Sequence, residues 1–316
     1  MALVERYRDF SVAGVLAHQA TAAPSAPFLV HLDAVLTYGE ADDRAEALAA
    51  SLSSLGIGSG DRIALILPAW PEFAVAVFAA AKLGAVIVPL NPRQTPADLR
   101  YMLRHSGASC AVSGENVYGV DFLQVFEDLL VELPELQYLV TVGEEDSWYD
   151  DRIFQWEDLI SAGRGRAFSG AAVAPDDPFA ILYTSGTSGK PKGVELSHRN
   201  VIHAAAATAD AVGLTPEDCV VGVTALFHVF GLGPGLVGTA IGGGRLLLQD
   251  EFGAPRTLDL IEAEGATVHF GVPTLFATEL AEMRGRQVDL SSIRVCLSAG
   301  APMGDEMARS VEDRFG

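Results

Sequence analysis

The sequence predicts an α/β protein with two βα-layered subdomains and largely parallel sheets. Helix-length amphipathic runs alternate with short apolar, strand-like runs along most of the chain, and this alternation is typical of layered α/β folds. A chain of 316 residues with 49% hydrophobic content can also bury a large core. Polar, Gly-containing and Pro-containing stretches between residues 143 and 178 form the best connector. They divide the chain into subdomains 1–170 and 171–316.

The predicted elements follow one another closely in both halves. In the first half they are a helix at 40–55, a strand at 62–67, a helix at 70–83, a strand at 86–90 and a helix at 96–105. In the second half the predicted strands are 179–183, 194–197, 220–223, 245–248, 267–270 and 294–297. The helices predicted there are 203–212, 232–241, 257–264, 275–283 and 305–315.

Composition excludes several classes of partner. The 21 basic against 41 acidic residues give a net charge of −20, which opposes binding to nucleic acid or to an anionic membrane. Lys82 and Gly84 interrupt the longest apolar stretch, 73–90, so no transmembrane helix is predicted, although peripheral membrane contact stays open. The N-terminus lacks the apolar core of a signal peptide, which predicts a cytoplasmic protein. Three scattered cysteines predict core thiols rather than a disulfide or zinc framework.

A loop at residues 183–193 is the strongest functional signal. It combines backbone-permissive glycines, hydroxyl donors and two lysines between apolar strand-like runs, and such a loop can bind a polyphosphate. These residues are Thr184, Ser185, Gly186, Thr187, Ser188, Gly189, Lys190, Lys192 and Gly193. Only two residues separate Gly186 from Gly189, so the loop is not a Walker A motif. A flexible Gly/Ser linker is the alternative interpretation of this composition.

The run Tyr-Thr-Ser-Gly-Thr-Ser-Gly-Lys-Pro-Lys-Gly resembles the phosphate-binding motif of the adenylate-forming superfamily, with Ser188 where Thr is commoner. That superfamily includes acyl-CoA synthetases, luciferases and peptide-synthetase adenylation domains. The similarity extends over nearly the whole chain, including the segments 36–38, 60–64, 82–85 and 89–92. It implies the fold of the acyl-CoA synthetase N-terminal domain.

The resemblance also implies roles for individual residues. The loop residues Thr184 to Lys190 and Lys192 are expected to bind ATP, with Mg²⁺ near Thr187, and Thr187, Lys192 and His228 are expected to be catalytic. The expected acid-binding residues are His228, Phe230, Gly231, Gly271, Ser298 and Ala299. Gly300, Ala301 and Pro302 are expected to contact adenine. From the residues alone, a lone histidine such as His228 is more often structural, and it is the resemblance that favours the binding role.

The reaction implied is ATP-dependent activation of a fatty, aryl or alicyclic carboxylic acid to acyl-AMP, followed by transfer to coenzyme A. Two alternatives stay open: an amino-acid-activating or adenylation-only enzyme, and a non-catalytic nucleotide-binding protein. The absence of Asp and Glu from residues 224–248 disfavours a substrate ammonium group. The chain is expected to be most of an N-terminal domain, without the C-terminal domain that bears a catalytic lysine, and therefore incomplete for turnover. The oligomeric state is not predicted.

Overall fold

The computed structural model describes residues 2–143, 150–168, 170, 172–184, 190–222 and 225–315. Within those residues the strands form a six-stranded sheet (sheet I), a seven-stranded sheet (sheet II) and a two-stranded ribbon. Helices flank or separate the sheets, so the predicted α/β class is confirmed. The parallel character of the sheets is confirmed as well, because antiparallel pairing in sheets I and II is restricted to one edge strand of each.

The strands of the described residues are β1 (Pro27–His31), β2 (Ala34–Thr37), β3 (Arg62–Ile66), β4 (Val86–Pro89), β5 (Cys110–Gly114), β6 (Asn116–Val117), β7 (Val120–Asp121), β8 (Tyr138–Val142), β9 (Ile153–Gln155), β10 (Pro178–Thr184), β11 (Lys192–Ser197), β12 (Cys219–Val221), β13 (Arg245–Leu248), β14 (Val268–Gly271) and β15 (Val295–Ser298). The eight predicted strands are observed close to their predicted positions, as β3, β4 and β10 to β15, and seven further strands in this part of the chain, β1, β2 and β5 to β9, were not predicted.

The helices lie between these strands in sequence. They are α1 (Leu3–Arg6), α2 (Val12–Ala22), α3 (Tyr38–Ser54), α4 (Pro71–Leu83), α5 (Pro96–Ser106), α6 (Phe122–Glu132), α7 (Trp156–Gly163), α8 (His198–Val212), α9 (Gly238–Gly242), α10 (Ala254–Glu264), α11 (Pro273–Glu282) and α12 (Asp305–Phe315), with a π-helix at Gly231–Val237 before α9. No helix in the described part of the chain is both long enough and apolar enough to cross a membrane.

Each sheet takes strands from both sides of residue 170. Sheet I has the order β15-β14-β12-β13-β1-β2, and sheet II has the order β11-β10-β4-β3-β5-β8-β9. The hairpin β1-β2 therefore belongs with the second half of the chain, and the hairpin β10-β11 belongs with the first half. The predicted division at residues 170 and 171 stays a prediction, and any such division has to accommodate this exchange of strands.

Helix α4 lies between the two sheets. It contacts β1 of sheet I and both β3 and β4 of sheet II, and its residues from Phe73 to Ala81 are buried. A helix that is apolar on all sides is suited to a fully buried position. Gly84 ends it in the left-handed conformation, with φ 71°. This break is why the apolar stretch 73–90 is a core helix followed by a strand.

Local capping explains where two helices depart from the predicted bounds. Helix α8 begins at His198, five residues before the predicted 203, because Ser197 and Asn200 form a reciprocal capping box. The predicted helix 232–241 is instead a π-helix joined to α9, and Pro234 lies inside it. Pro234 has no amide hydrogen to give to a regular helical ladder, and π segments often lie near functional sites.

Candidate functional site

The predicted site residues fall into two groups on different sheets. Thr184 ends β10 and Lys192 begins β11, so the two strands form the stem of the phosphate loop at the edge of sheet II. Thr184 and Lys192 face each other in the antiparallel register. The remaining predicted loop residues, Ser185, Gly186, Thr187, Ser188 and Gly189, lie outside the described residues. The described stem therefore lies at the edge of sheet II.

The stem carries two of the three lysines of the chain. Lys190 and Lys192 are exposed. The third, Lys82, is largely buried and forms an ion pair with Asp42 at 2.7 Å between Nζ and Oδ1. Two lysine charges therefore lie close together beside the loop in a chain whose net charge is −20. This local field suits an anionic ligand.

Three neighbouring parallel strands of sheet I end together at the second group. Gly222 follows β12, Gly271 ends β14 and Ser298 ends β15. The amide of Ala299 donates a hydrogen bond to the carbonyl of Gly271 at 3.0 Å, which joins the ends of β14 and β15. We call Gly222, Gly271, Ser298 and Ala299 the strand-end floor. The carboxyl ends of parallel strands are the usual place for ligands in open α/β sheets.

The strand-end floor is built of small residues because larger ones do not fit. A Cβ atom on Gly222 would lie 2.0 Å from the carbonyl oxygen of Phe270, and one on Gly271 would lie 2.9 Å from the ring of Phe276. Ser298 adds a hydroxyl whose oxygen is buried without a hydrogen-bond partner in the described structure. The floor thus offers close backbone approach and one polar group to a ligand.

His228 and Phe230 lie in the turn between β12 and the π-helix. His228 is exposed, and its Nδ1 accepts a hydrogen bond from the amide of Phe230 at 3.2 Å. Because Nδ1 accepts, the proton of a neutral imidazole is on Nε2, which can donate to a carboxylate. The Phe230 ring lies 5.7 Å from the ring of Phe270, at the end of β14. The turn is therefore next to the strand-end floor.

Gly231 is buried and leaves no room for a side chain. A Cβ atom there would lie 2.2 Å from the carbonyl oxygen of Ala225. Gly300, Ala301 and Pro302 follow β15 and are exposed, and Gly300 has a φ of 82°. Exposed, small and beside the floor, these three residues can lie against a flat ring. Their predicted contact with adenine stays a prediction.

A buried ionisable pair supports the floor from beneath. The Nε2 of His269 in β14 lies 3.1 Å from a carboxylate oxygen of Glu279 in α11, and both side chains are fully buried. Cys296 pairs with His269 across the parallel register. Burial, with a smaller contribution from Glu279, raises the pKa of the Cys296 thiol to about 12. Cys296 therefore remains a thiol, and the three cysteines are free, as predicted.

Sequence reasoning missed residues that depend on tertiary contact. Gly222 was not among the predicted site residues, although a glycine directly after a predicted strand is a signal for close backbone approach. Tyr101 and His105 on α5, which contact the stem of the phosphate loop, carry no local signal. In the described part of the chain, no cluster of three or more His, Cys, Asp or Glu side chains could hold a metal ion. The predicted metal contact, Thr187, lies outside that part.

Comparisons with known proteins identify the family of this chain. Residues 16–316 match the family described as "AMP-binding enzyme". The chain is 33% identical over 308 residues to 4-coumarate--CoA ligase 2 of Oryza sativa subsp. japonica, covering 94% of this chain and 54% of that protein. It is 32% identical over 297 residues to feruloyl-CoA synthase of Amycolatopsis sp, covering 94% of this chain and 55% of that protein.

A solved structure extends the likeness to the fold. The inhibitor-bound N-terminal domain of FACL13 from Mycobacterium tuberculosis superposes with a TM-score of 0.80 at 27% identity, over 96% of this chain and 73% of that one. The chain spans about half the length of the curated relatives it matches.

Proposed function

Because the chain belongs to the AMP-binding enzyme family, we propose that the protein containing it activates a carboxylic acid with ATP and transfers the acyl group to coenzyme A. A carboxylate oxygen attacks the α-phosphorus of ATP, and pyrophosphate leaves. The thiol of coenzyme A then attacks the acyl carbonyl, and AMP leaves. The observation that carries the proposal is the strand-end floor, which brings the ends of three parallel strands together beside Phe230 and His228.

The phosphate loop is proposed to bind the triphosphate. Lys192 supplies charge at the base of β11, and the hydroxyl of Thr184 faces it across the stem. Ser185, Gly186, Thr187, Ser188, Gly189 and Lys190 complete the proposed binding loop. Mg²⁺, held through Thr187 in this proposal, would neutralise phosphate charge when bound. Donors aimed at developing charge typically lower the barrier of such transfers by a few kcal/mol, roughly 3 per donor.

The acid is proposed to bind between the turn and the floor. The Nε2–H of His228 orients the carboxylate, and the Phe230 ring, half-buried against Phe270, contacts the acyl group. Gly231, Gly271, Ser298 and Ala299 give the pocket its backbone-lined wall. An uncharged, largely apolar acyl group fits this lining. The names of two relatives, 4-coumarate--CoA ligase and feruloyl-CoA synthase, favour aryl acids within that class.

The adenylate is proposed to lie against the segment after β15. Gly300, Ala301 and Pro302 are small and exposed, so a purine ring can approach their backbone. No side-chain nucleophile is needed, because the substrate carboxylate itself is the nucleophile. The task of the protein is then to hold two reactants in line and to exclude water.

Two other functions remain as alternatives. An amino-acid-activating domain needs an acidic partner for the substrate ammonium, and the segment 225–248 contains neither Asp nor Glu. A non-catalytic nucleotide-binding protein would bind ATP without releasing pyrophosphate. A cytoplasmic location and the absence of nucleic-acid partners also remain proposals.

Substitution of Lys192 tests the phosphate-binding role. We expect Lys192→Met to lower ATP–pyrophosphate exchange by about 10²-fold, because a charge directed at the phosphates is lost. Lys192→Arg keeps the charge and serves as the matched control, with a smaller loss. The exchange rate is measured at saturating acid in the protein that contains this chain. Exchange by Lys192→Met at the wild-type rate would refute the assignment.

A panel of acids tests the substrate class. Adenylate formation should be fastest with aryl acids such as 4-coumarate, ferulate and benzoate, slower with fatty acids, and negligible with free α-amino acids. The physical reason is that burying an ammonium without a carboxylate partner costs far more free energy than burying a neutral polar group. Pyrophosphate release is recorded for each acid. Preference for an α-amino acid would favour the amino-acid-activating alternative.

A further inference from the structure

Helix α5 contacts the stem of the phosphate loop on both of its sides. The Tyr101 hydroxyl donates a hydrogen bond to the carbonyl of Pro191, directly before β11, at 3.3 Å. The Tyr183 hydroxyl, near the end of β10, donates to the carbonyl of Met102 in α5 at 3.0 Å. One helix therefore holds the strand that enters the loop and the segment that leaves it.

The second of these contacts is reinforced by a histidine. Nδ1 of His105 lies 2.8 Å from the Tyr183 hydroxyl. Because the single hydroxyl proton goes to Met102, His105 has to be the donor, either as the Nδ1–H tautomer or as imidazolium. Burial raises the pKa of Tyr183 to about 12, so this hydroxyl stays protonated at ordinary pH. The hydrogen bond from Tyr183 to Met102 is thus not lost through ionisation of the tyrosine at neutral pH.

Tyr101 also separates the roles of the two loop lysines. The Lys190 ammonium lies 5.6 Å from the centre of the Tyr101 ring, within the range of a cation–π contact. Lys192 lies two residues further on, faces Thr184 across the stem and is exposed. Lys190 is drawn toward α5, whereas Lys192 is left for a ligand.

We propose that α5 is the rear support of the phosphate loop, with Tyr101 and Tyr183 as positioning residues that fix its two ends and Lys190 as the cation that anchors its exit. The proposal rests on the proposed binding of ATP phosphates by this loop. Fixing the ends of a ligand-binding segment before the ligand arrives reduces the conformational entropy that is lost on binding. Loss of the support should therefore weaken ATP binding more than it slows chemistry.

Two substitutions of Tyr101 separate the contacts. Tyr101→Phe removes the hydrogen bond to Pro191 and keeps the ring beneath Lys190, whereas Tyr101→Leu removes both. Tyr138→Phe is the matched control, because Tyr138 lies in β8, near the opposite edge of sheet II, and is half-buried as well. Three quantities are measured in each variant: the ATP dissociation constant, the amide hydrogen exchange of Lys192 and Gly193 without nucleotide, and the melting temperature.

We expect Tyr101→Leu to bind ATP about tenfold more weakly and to exchange those amides about tenfold faster, at a nearly unchanged melting temperature. In ATP affinity and in amide exchange rate, Tyr101→Phe should lie between Tyr101→Leu and the wild type, and Tyr138→Phe should match the wild type. In the enzyme containing the chain, KM for ATP should rise while kcat changes less than twofold. If Tyr101→Leu shows the same amide hydrogen exchange and the same ATP affinity as Tyr138→Phe, the support role of α5 is wrong, whereas the proposed binding of ATP by the loop is unaffected. If the wild type binds no ATP, the proposed function fails, and the amide exchange alone decides whether α5 holds the stem.

Discussion

At the scale of single residues, Gly222 shows how backbone geometry builds the candidate site. Its φ of 89° lies in the left-handed region, which L side chains rarely adopt. A Cβ atom there would also collide with the carbonyl of Phe270, 2.0 Å away. Gly213, the residue that ends α8, has a φ of 64° but open space around the same position. Comparing Gly222 with Gly213 therefore distinguishes the cost of backbone strain from the cost of a steric collision.

We predict that Gly222→Ala destabilises the chain by more than about 3 kcal/mol, because strain and a displaced β14 carbonyl add. Gly213→Ala should cost only about 1 kcal/mol, the strain alone. Urea unfolding of both variants measures the difference. Equal losses would mean that the strand-end floor yields easily to the added methyl group.

Most candidate site residues could be predicted from the sequence because their signals are local, and their roles stay predictions. Glycines, hydroxyls and lysines are adjacent in the loop at 183–193, and His228 and Phe230 lie between a predicted strand and a predicted helix. Gly222 and Tyr101 were missed because their importance depends on which strand or loop becomes a neighbour. Tyr101 is 90 residues from Pro191 along the chain, and no periodicity reveals that contact.

At the scale of elements, the predicted strands and helices largely match those observed because apolar periodicity follows burial. Helix 305–315 is predicted with its observed bounds. The strands β1, β2 and β5 to β9 were not predicted. Strands β1 and β2 form a hairpin with each other, and only the parallel partner of β1, strand β13, lies far away in sequence. The π-helix was predicted as an ordinary helix, because apolar periodicity does not distinguish the two.

His198 joins two helices at this scale. It is the first residue of α8, fully buried, and its Nδ1 accepts a hydrogen bond from the amide of Val12 at the start of α2 at 3.2 Å. Burial lowers the pKa of His198 to about 4, against an ordinary value near 6.5. The neutral ring is thus part of how α2 docks on α8.

This pKa predicts a pH dependence of stability. As pH falls below 6.5, His198 takes up a proton in the unfolded chain before it does so in the folded chain. The stabilisation that comes from the neutral, buried His198 is therefore fully present above pH 6.5 and is lost progressively toward pH 4. The free energy of unfolding should fall by about 2 kcal/mol between pH 7 and pH 5 from this group alone. His198→Asn should be less stable at pH 7 but lack this slope.

The measurement is urea unfolding of the wild type and His198→Asn at pH 7, 6 and 5. His203→Asn is the matched control, because His203 is exposed on the same helix, and it should follow the wild type at every pH. If the difference in free energy of unfolding between the wild type and His198→Asn is the same at all three pH values, His198 is not the titrating group.

At the scale of the whole molecule, the exchange of strands joins the two halves of the chain. Strand β10 pairs with β4, and β1 pairs with β13, so each sheet is continuous across residue 170. One hydrophobic core cluster also spans both halves, with Phe28 and Phe78 from the first and Ala205 and Leu246 from the second. Neither half keeps a complete sheet without the other.

We therefore predict that residues 1–170 and residues 171–316 do not fold separately. Without β10 and β13, the first fragment exposes the edges of β4 and β1. The second fragment exposes the edges of β10 and β13 that pair with them in the intact chain. Unpaired apolar strand edges favour aggregation over folding. Each fragment alone should show no cooperative thermal transition, and mixing the two should restore one. The intact chain carrying a protease site at residues 170 and 171, cleaved after folding, is the control and should stay associated. A cooperative transition in either isolated fragment would show that the predicted boundary separates independent folding units despite the shared sheets.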